Sequence, residues 1–259
     1  MPRRIFWHER VMHLKPIAIF TAGRSPALAY ARQELNQYLT DDPTEATHLL
    51  LPAPSFESDG NIKGGYDLEE ILESLPEHVT IIGGNLDHPA LTEHKKIDLL
   101  QDPFYTAQNA AITAHCALGL ILTSLPTILP DLKILIIGAG RIGKCLAHIL
   151  KDLGAQVSLA ARKAEDRAMA GSLGFHSVAP GSWSVSQYRV IVNTVPAPLL
   201  ADVDCAADAL LLDLASVRGI SGDRVRWARG LPGICAPETS GRLIARRAME
   251  LISQKEDAL

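Results

Sequence analysis

Short apolar runs and amphipathic stretches alternate along this chain. "PIAIFTAG" (16–23) is an apolar run closed by glycine, which predicts a buried strand. Ser25 and Pro26 fit an N-cap followed by proline at the first helical position, and "ALAYARQELNQYL" continues at helical spacing. "THLLLPAP" (47–54) predicts a strand stopped by prolines. "DLEEILESL" (67–75) predicts an amphipathic helix that opens with acidic residues, and "VTIIGGN" (79–85) a strand ending in glycines. From about Thr106 to Leu125 the pattern becomes one long, mostly apolar helix, broken by Pro126 and Pro130. Further strands are predicted near 134–137, 156–160, 190–193 and 210–214, and a last helix over about 237–253.

Strands alternating with helices imply parallel sheets covered on both faces. The expected class is α/β, with two doubly wound parallel-sheet domains joined by a long helix. The expected boundaries are an N-terminal α/β domain at 1–105 and a linking helix at 106–130. A dinucleotide-binding domain follows at 131–236. A C-terminal helix at 237–259 packs back toward the N-terminal domain. A helix between two such blocks suggests a cleft with that helix at its floor.

Composition narrows the classes. The chain is 47% hydrophobic over 259 residues, enough for a sizeable core without disulfides or metal. Its net charge of −4 comes without a basic stripe, which argues against nucleic acid or an anionic membrane as main partner. Cys116, Cys145, Cys205 and Cys235 are far apart in sequence and form no CxxC pair, so they read as reduced, mostly packing cysteines of a cytoplasmic protein. The histidines show no metal-ligand spacing, so no metal is expected. The polar, basic start "MPRRIFWHERVMHLK" has no apolar run behind it and reads as a frayed end or an added edge segment. The most apolar stretch, "CALGLILTSLPTIL", is too short to span a bilayer.

The chemistry begins at "KILIIGAGRIG". Gly138, Gly140 and Gly143 follow a strand and open a helix, the context a dinucleotide fingerprint requires. Gly138 allows the tight turn, Gly140 lets a pyrophosphate approach the backbone, and Gly143 lets helix and strand pack closely. Arg141 and Ile142 lie between them, where helix N–H groups and the positive dipole end face the phosphates. The next strand ends in Ala160-Ala161-Arg162-Lys163, where an NAD site carries an acidic residue for the ribose 2′-hydroxyl. A guanidinium there pairs with a 2′-phosphate. NADP is therefore expected ahead of NAD, although Asp166 keeps NAD open. Thr194, Val195 and Pro196 follow the fourth strand of this block and are cofactor-side candidates, or else simply end the strand. Ser216 lies at the carboxyl end of the fifth, where ligands of open α/β sheets sit. Asp213, inside that strand, reads as a satisfied structural carboxylate.

"NTVPAPLL", "LLLDLASVRG" and above all "GLPGICAPETSGRLIARRAMELI" resemble the family of the dipicolinate synthase A subunit. The resemblance runs over about 109–252; the first hundred residues agree only in their α/β pattern. Less closely, the second half is similar to the cofactor domains of shikimate dehydrogenase and S-adenosylhomocysteine hydrolase. The dipicolinate synthase resemblance implies oxidation of dihydrodipicolinate, or its hydrated precursor, to dipicolinate with a nicotinamide cofactor during sporulation. It also implies that the partner is a flavoprotein B subunit, and a homo-oligomer is expected. A small dicarboxylate substrate needs cationic or N–H donors, and its oxidation needs a proton acceptor.

Two positions depart from the family. Its Thr-x-Glu-Gly run reads Thr113-Ala114-His115-Cys116 here, and the lysine of its GLPGI-x-AP-Lys-Thr segment is Glu238, beside a retained Thr239. His115 and Glu238 are the candidate catalytic pair, with acid and base exchanged and within hydrogen-bond reach directly or through one water. The alternative is lost activity. Asn109, Thr113, Ser216, Thr239 and Arg242 are the candidate substrate contacts. Two other functions stay open: a non-catalytic nucleotide-binding or regulatory subunit, and a small-acid dehydrogenase of shikimate dehydrogenase type.

Overall fold

In a computed structural model of the chain, residues 16–182 and 184–256 are described. The basic start at 1–15 lies outside them. The first sheet holds β1 (Ile19–Thr21), β2 (His48–Leu50), β3 (Thr80–Gly83) and β4 (Lys95–Asp98), all parallel and in that order. Leu39 makes an isolated parallel bridge to Ile19. The amide of Thr40 donates to the Ile19 carbonyl at 3.0 Å, on the edge of β1 away from β2. The winding therefore reverses at β1, but the strand on that side is reduced to one bridge.

Alternate residues of this sheet feed two cores, as the period of a strand requires. Ile19, Leu50, Ile82 and Ile97 pack under α1 (Pro26–Glu34), whose N-cap Ser25 accepts the Leu28 amide at 3.0 Å. Leu49, Leu51 and Ile81 pack on the other face with Leu68 of α2 (Leu68–Glu73), capped by Asp67.

The second sheet has β5 (Lys133–Ile137), β6 (Gln156–Ala160), β7 (His176–Val178), β8 (Val190–Asn193), β10 (Leu210–Asp213) and β12 (Val225–Trp227). Its order is β12-β10-β8-β5-β6-β7 and every pairing is parallel. The direction of winding reverses between β5 and β8, the switch point at which such sheets bind dinucleotides. α4 (Arg141–Asp152) follows β5, and α5 (Ala164–Ser172) follows β6. A small parallel pair, β9 (Leu200–Ala201) with β11 (Ile220–Ser221), flanks the sheet.

Two helices join the sheets. α3 (Pro103–Ser124) starts one turn earlier than the apolar pattern predicts, because Asp102 accepts the Tyr105 amide at 2.7 Å and Pro103 supplies a preset first φ. Its Tyr105 belongs to the first core, its Ala114 and Ala117 to the second, and Ile112 touches both. α6 (Leu231–Cys235) leads into α7 (Pro237–Glu256), which lies along α1 and buries Leu243, Ile244, Ala248 and Ile252. At Gly241 a Cβ would stand 2.5 Å from the Ala27 carbonyl oxygen, so the close approach of α7 to α1 requires glycine there. The elements the apolar pattern does not predict are short or polar. β4 reads Lys95-Lys96-Ile97-Asp98 and shows its lysines to solvent at a sheet edge. Among the described residues no helix is long and apolar enough to cross a membrane.

α7 is tied to the start of α3 by Arg247. Its Nε and Nη2 each donate to a different oxygen of Asp102 at 2.8 Å, with both side chains only 10% exposed. Nη1 reaches Glu250, also at 2.8 Å, and the guanidinium lies over the Phe104 ring. The Arg247 bond holds the Asp102 carboxyl below its usual range and raises the guanidinium in turn. Asp102→Ala strands a buried charge and removes a helix cap, so it should cost about 3–5 kcal/mol, read as a lower urea midpoint. Because the folded carboxyl titrates below the ordinary 3.8, its contribution is complete above that pH. It is lost as pH falls through the lowered value. The acid branch of the wild-type stability profile should therefore be steeper than that of Asp102→Ala.

Candidate dinucleotide and substrate site

The loop from β5 to α4 is built by three close contacts. Gly138 has φ +110°, and a Cβ there would stand 2.4 Å from the Thr194 hydroxyl oxygen. A Cβ on Gly143 would meet the Gly138 carbonyl oxygen at 1.9 Å. Gly140, the N-cap of α4, has nothing within 4 Å of a Cβ and no side chain capping the helix. Two glycines thus close the turn and the third leaves open space before an uncapped helix end. Arg141 and Ile142 form the first turn behind it, with no acidic residue to oppose an anion. This cradle fits the pyrophosphate of a dinucleotide.

Neighbouring loops are fixed around it. Thr194 donates its hydroxyl and its amide to the Ile137 carbonyl, both at 2.9 Å, so this hydroxyl already anchors the loop to β5. Asn193 accepts from the Val195 amide at 3.0 Å and donates to the Val195 carbonyl at 2.9 Å, which leaves Pro196 exposed at the rim. Asp213 is fully buried and accepts four bonds, from Asn193 Nδ2, Ala215 N, Gly219 N and Ile220 N, at 2.7–3.0 Å. It is the structural carboxylate that its place inside the strand suggests. It sets the turn carrying the exposed Ser216. Arg162 and Lys163 are exposed after β6, and Lys163 approaches Glu165 at 3.9 Å. Arg167 of α5 braces their backbone, donating to the carbonyls of Ala161 and Arg162 at 2.9 and 2.6 Å. The apolar pattern gives no sign of α5, so it gives none of Arg167.

No family model matches the chain. The A subunit of dipicolinate synthase from Bacillus subtilis (strain 168) is 25% identical over 231 residues, covering 80% of this chain and 77% of that one. The chain is a relative of the dipicolinate synthase A subunit. Two solved structures of dipicolinate synthase A subunits share its fold. The Bacillus subtilis protein superposes with a TM-score of 0.81 at 20% identity, covering 95% of this chain and 99% of that one. The Bacillus halodurans protein gives 0.81 at 20% identity over 92% and 98%. A transhydrogenase from Sinorhizobium meliloti gives 0.68 at 16% identity over 92% and 94%.

The two positions at which this chain departs from the dipicolinate synthase pattern lie on α3 and α7. His115 is exposed rather than a core residue, and its Nδ1 sits 2.9 Å from the Ala111 carbonyl of its own helix. Glu238 is held by Arg242 at 2.8 Å, and Arg242 also meets Glu34 at 3.0 Å. No hydrogen bond or ion pair joins His115 to Glu238. Thr113 is buried, with its hydroxyl donating to the Asn109 carbonyl at 2.8 Å. Thr239 and Arg242, with Gln108, Ile112 and Arg246, line a cavity of about 420 Å³ between α3 and α7. Arg246, bonded to Gln108, has no motif in the sequence to mark it. Cys116 and Cys235, distant in the chain, are neighbours here. Burial first, and then the adjacent thiol, push Cys116 up to about 11, whereas Cys235 is exposed.

The glycines separate two effects. Gly143→Ala drives a methyl into backbone and should lose about 1–3 kcal/mol of stability together with nucleotide binding. Gly140→Ala should melt like wild type, while titration shows weaker dinucleotide binding.

Proposed function

We propose that this protein is an NADP-dependent oxidoreductase of the same type as the dipicolinate synthase A subunit. It converts dihydrodipicolinate, or its hydrated precursor, to dipicolinate. The observation that carries this reading is the sequence match to that protein across 80% of the chain. The open glycine cradle at the switch point supports it.

In this reading Gly138, Gly140, Arg141, Ile142 and Gly143 hold the pyrophosphate, and Val195 and Pro196 flank the nicotinamide half. Arg162, backed by Lys163, grips the 2′-phosphate. The cofactor, when bound, supplies the hydride acceptor. His115 takes a proton from the substrate, with Glu238 as its acidic counterpart. Asn109, Thr113, Ser216 and Thr239 position the ring. Residues 1–105 and 131–236 are the two domains, joined by 106–130, with 237–259 returning to the first. A cytoplasmic setting, sporulation, a homo-oligomer and a flavoprotein B subunit belong to the same reading.

A second reading is a nucleotide-binding subunit without catalysis. It is favoured by the bonds that occupy the two changed positions, His115 on Ala111 and Glu238 on Arg242.

Nucleotide titration of wild type and Arg162→Ala tests the cofactor. Wild type should prefer NADP. Loss of one charged hydrogen bond of about 1.5–3 kcal/mol should weaken NADP about ten- to hundredfold and leave NAD unchanged. Equal binding of both nucleotides by wild type overturns the NADP assignment. Turnover of dihydrodipicolinate should fall about 10²–10⁴-fold in His115→Gln if it is the proton acceptor. Nucleotide binding without turnover by wild type selects the second reading.

A further inference from the structure

The two faces of the second sheet are covered differently. On one, Leu146, Ala147 and Leu150 of α4 and Ala170 of α5 share a core with Ile134, Ile136, Val157 and Leu159. Beside the other face runs the connection from β7 to β8, and among its described residues it holds only a 3₁₀ turn at Val185–Gln187. Val185 and Tyr188 pack there with Leu135 and Ala160. So short a cover leaves a cavity of about 300 Å³ over the amino ends of β5, β6 and β7.

Strand register builds the floor of this cavity. Lys133 of β5 pairs with Gln156 of β6, and Ser158 of β6 pairs with His176 of β7. Paired residues share a face of the sheet, and so do residues two apart on one strand. Lys133, Gln156, Ser158 and His176 therefore stand side by side on one face, and all four line the cavity, with Gln187 and Tyr188 beside them. Ser158 is only 8% exposed, and its Oγ lies 3.1 Å from His176 Nδ1. Tyr188 is buried as well, whereas Lys133, Gln156, His176 and Gln187 are exposed at the rim. Among the described residues the side chains of Lys133, Gln156, Gln187 and Tyr188 are in no hydrogen bond or ion pair, and no carboxylate lines the cavity.

The lining thus offers one ammonium group, two amides, a phenol and a serine–histidine pair, and nothing that neutralises the ammonium. An oxyanion takes a charge-assisted bond from Lys133 and neutral bonds from the hydroxyl and amide donors. The volume is at the lower end for small-molecule sites, so the ligand is small. The glycine cradle stands at the opposite end of the five-residue β5, roughly 16 Å away along the strand. A ligand over the amino ends is therefore separate from a dinucleotide at the carboxyl ends.

We propose that this cavity is a second binding site, for a small oxyanion, a carboxylate or a phosphate. Lys133 supplies the charge, Gln156, Gln187 and Tyr188 the neutral bonds, and the Ser158–His176 pair the buried end. The proposal goes beyond the oxidoreductase reading and does not depend on it.

The test is titration of the full-length protein with inorganic phosphate and with acetate at constant ionic strength, with and without saturating NADP. Binding is followed by nuclear magnetic resonance of the backbone amides. Wild type should bind one or both probes saturably, with shifts gathered at 156–158, 176 and 187–188, and equally well with NADP present. Phosphate alone identifies a phosphate-type ligand, acetate alone a carboxylate, and either supports the site. Lys133→Met should weaken binding about tenfold, and Lys133→Arg should keep most of it. Ser158→Ala should weaken it too. Gln187→Leu, on the loop and not in the sheet, should do so with the melting temperature of wild type. Oxyanion binding that NADP displaces and Lys133→Met leaves untouched belongs to the glycine cradle and overturns the proposal. So does the failure of both probes to bind wild type, or binding indifferent to all the variants. Oxyanion binding that needs Lys133 in a protein that binds no NADP keeps this site and sinks the oxidoreductase reading.

Discussion

Arg247 and Asp102 meet through two parallel hydrogen bonds in a nearly dry setting, and that contact decides how the last helix returns to the first sheet. Asp102 also caps α3. One carboxylate therefore fixes where the long helix begins and where α7 lies beside it. Because α3 leads into the second sheet and α7 leads out of it, the same contact ties the two connections together beside the first sheet. A buried pair of this kind contributes less to net stability than to registry, since its desolvation offsets much of its attraction.

Within the second sheet the glycine cradle follows from steric necessity. Gly138 and Gly143 are forced by contacts that no methyl group can enter, whereas Gly140 faces open space. The surrounding loops are not loose. Asp213 gathers four donors from two segments, and Asn193 holds both polar groups of Val195. These buried groups place the strand ends rigidly, so any ligand meets preset backbone and only the outer side chains, such as Arg141 and Arg162, have freedom to adapt.

Charge distribution orders the candidate substrate contacts. A cation already matched by carboxylates has less to gain from a ligand than one without such partners. By that measure Arg242, met by Glu34 and Glu238, is committed. His115 and Glu238 each have a partner on their own helix, the Ala111 carbonyl and Arg242.

The sequence by itself determined the parallel α/β class, the four central strands of the second sheet (β5, β6, β8 and β10) and the glycine cradle. Those rest on local facts: apolar runs of strand length, three glycines at fixed offsets, Pro126 and Pro130 ending a helix. It also marked Asp213 as structural, because a carboxylate inside an apolar strand has to be satisfied. Only the tertiary structure decided the rest. β4 and β12 are short edge strands with too few apolar residues to leave a pattern. Cys116 beside Cys235 and Arg247 on Asp102 are contacts between residues more than a hundred positions apart. Such pairs leave no periodic trace, since each side chain alone looks like an ordinary surface or packing residue. What joins them is the path of α3 and α7, and that path is fixed by packing, not by local preference.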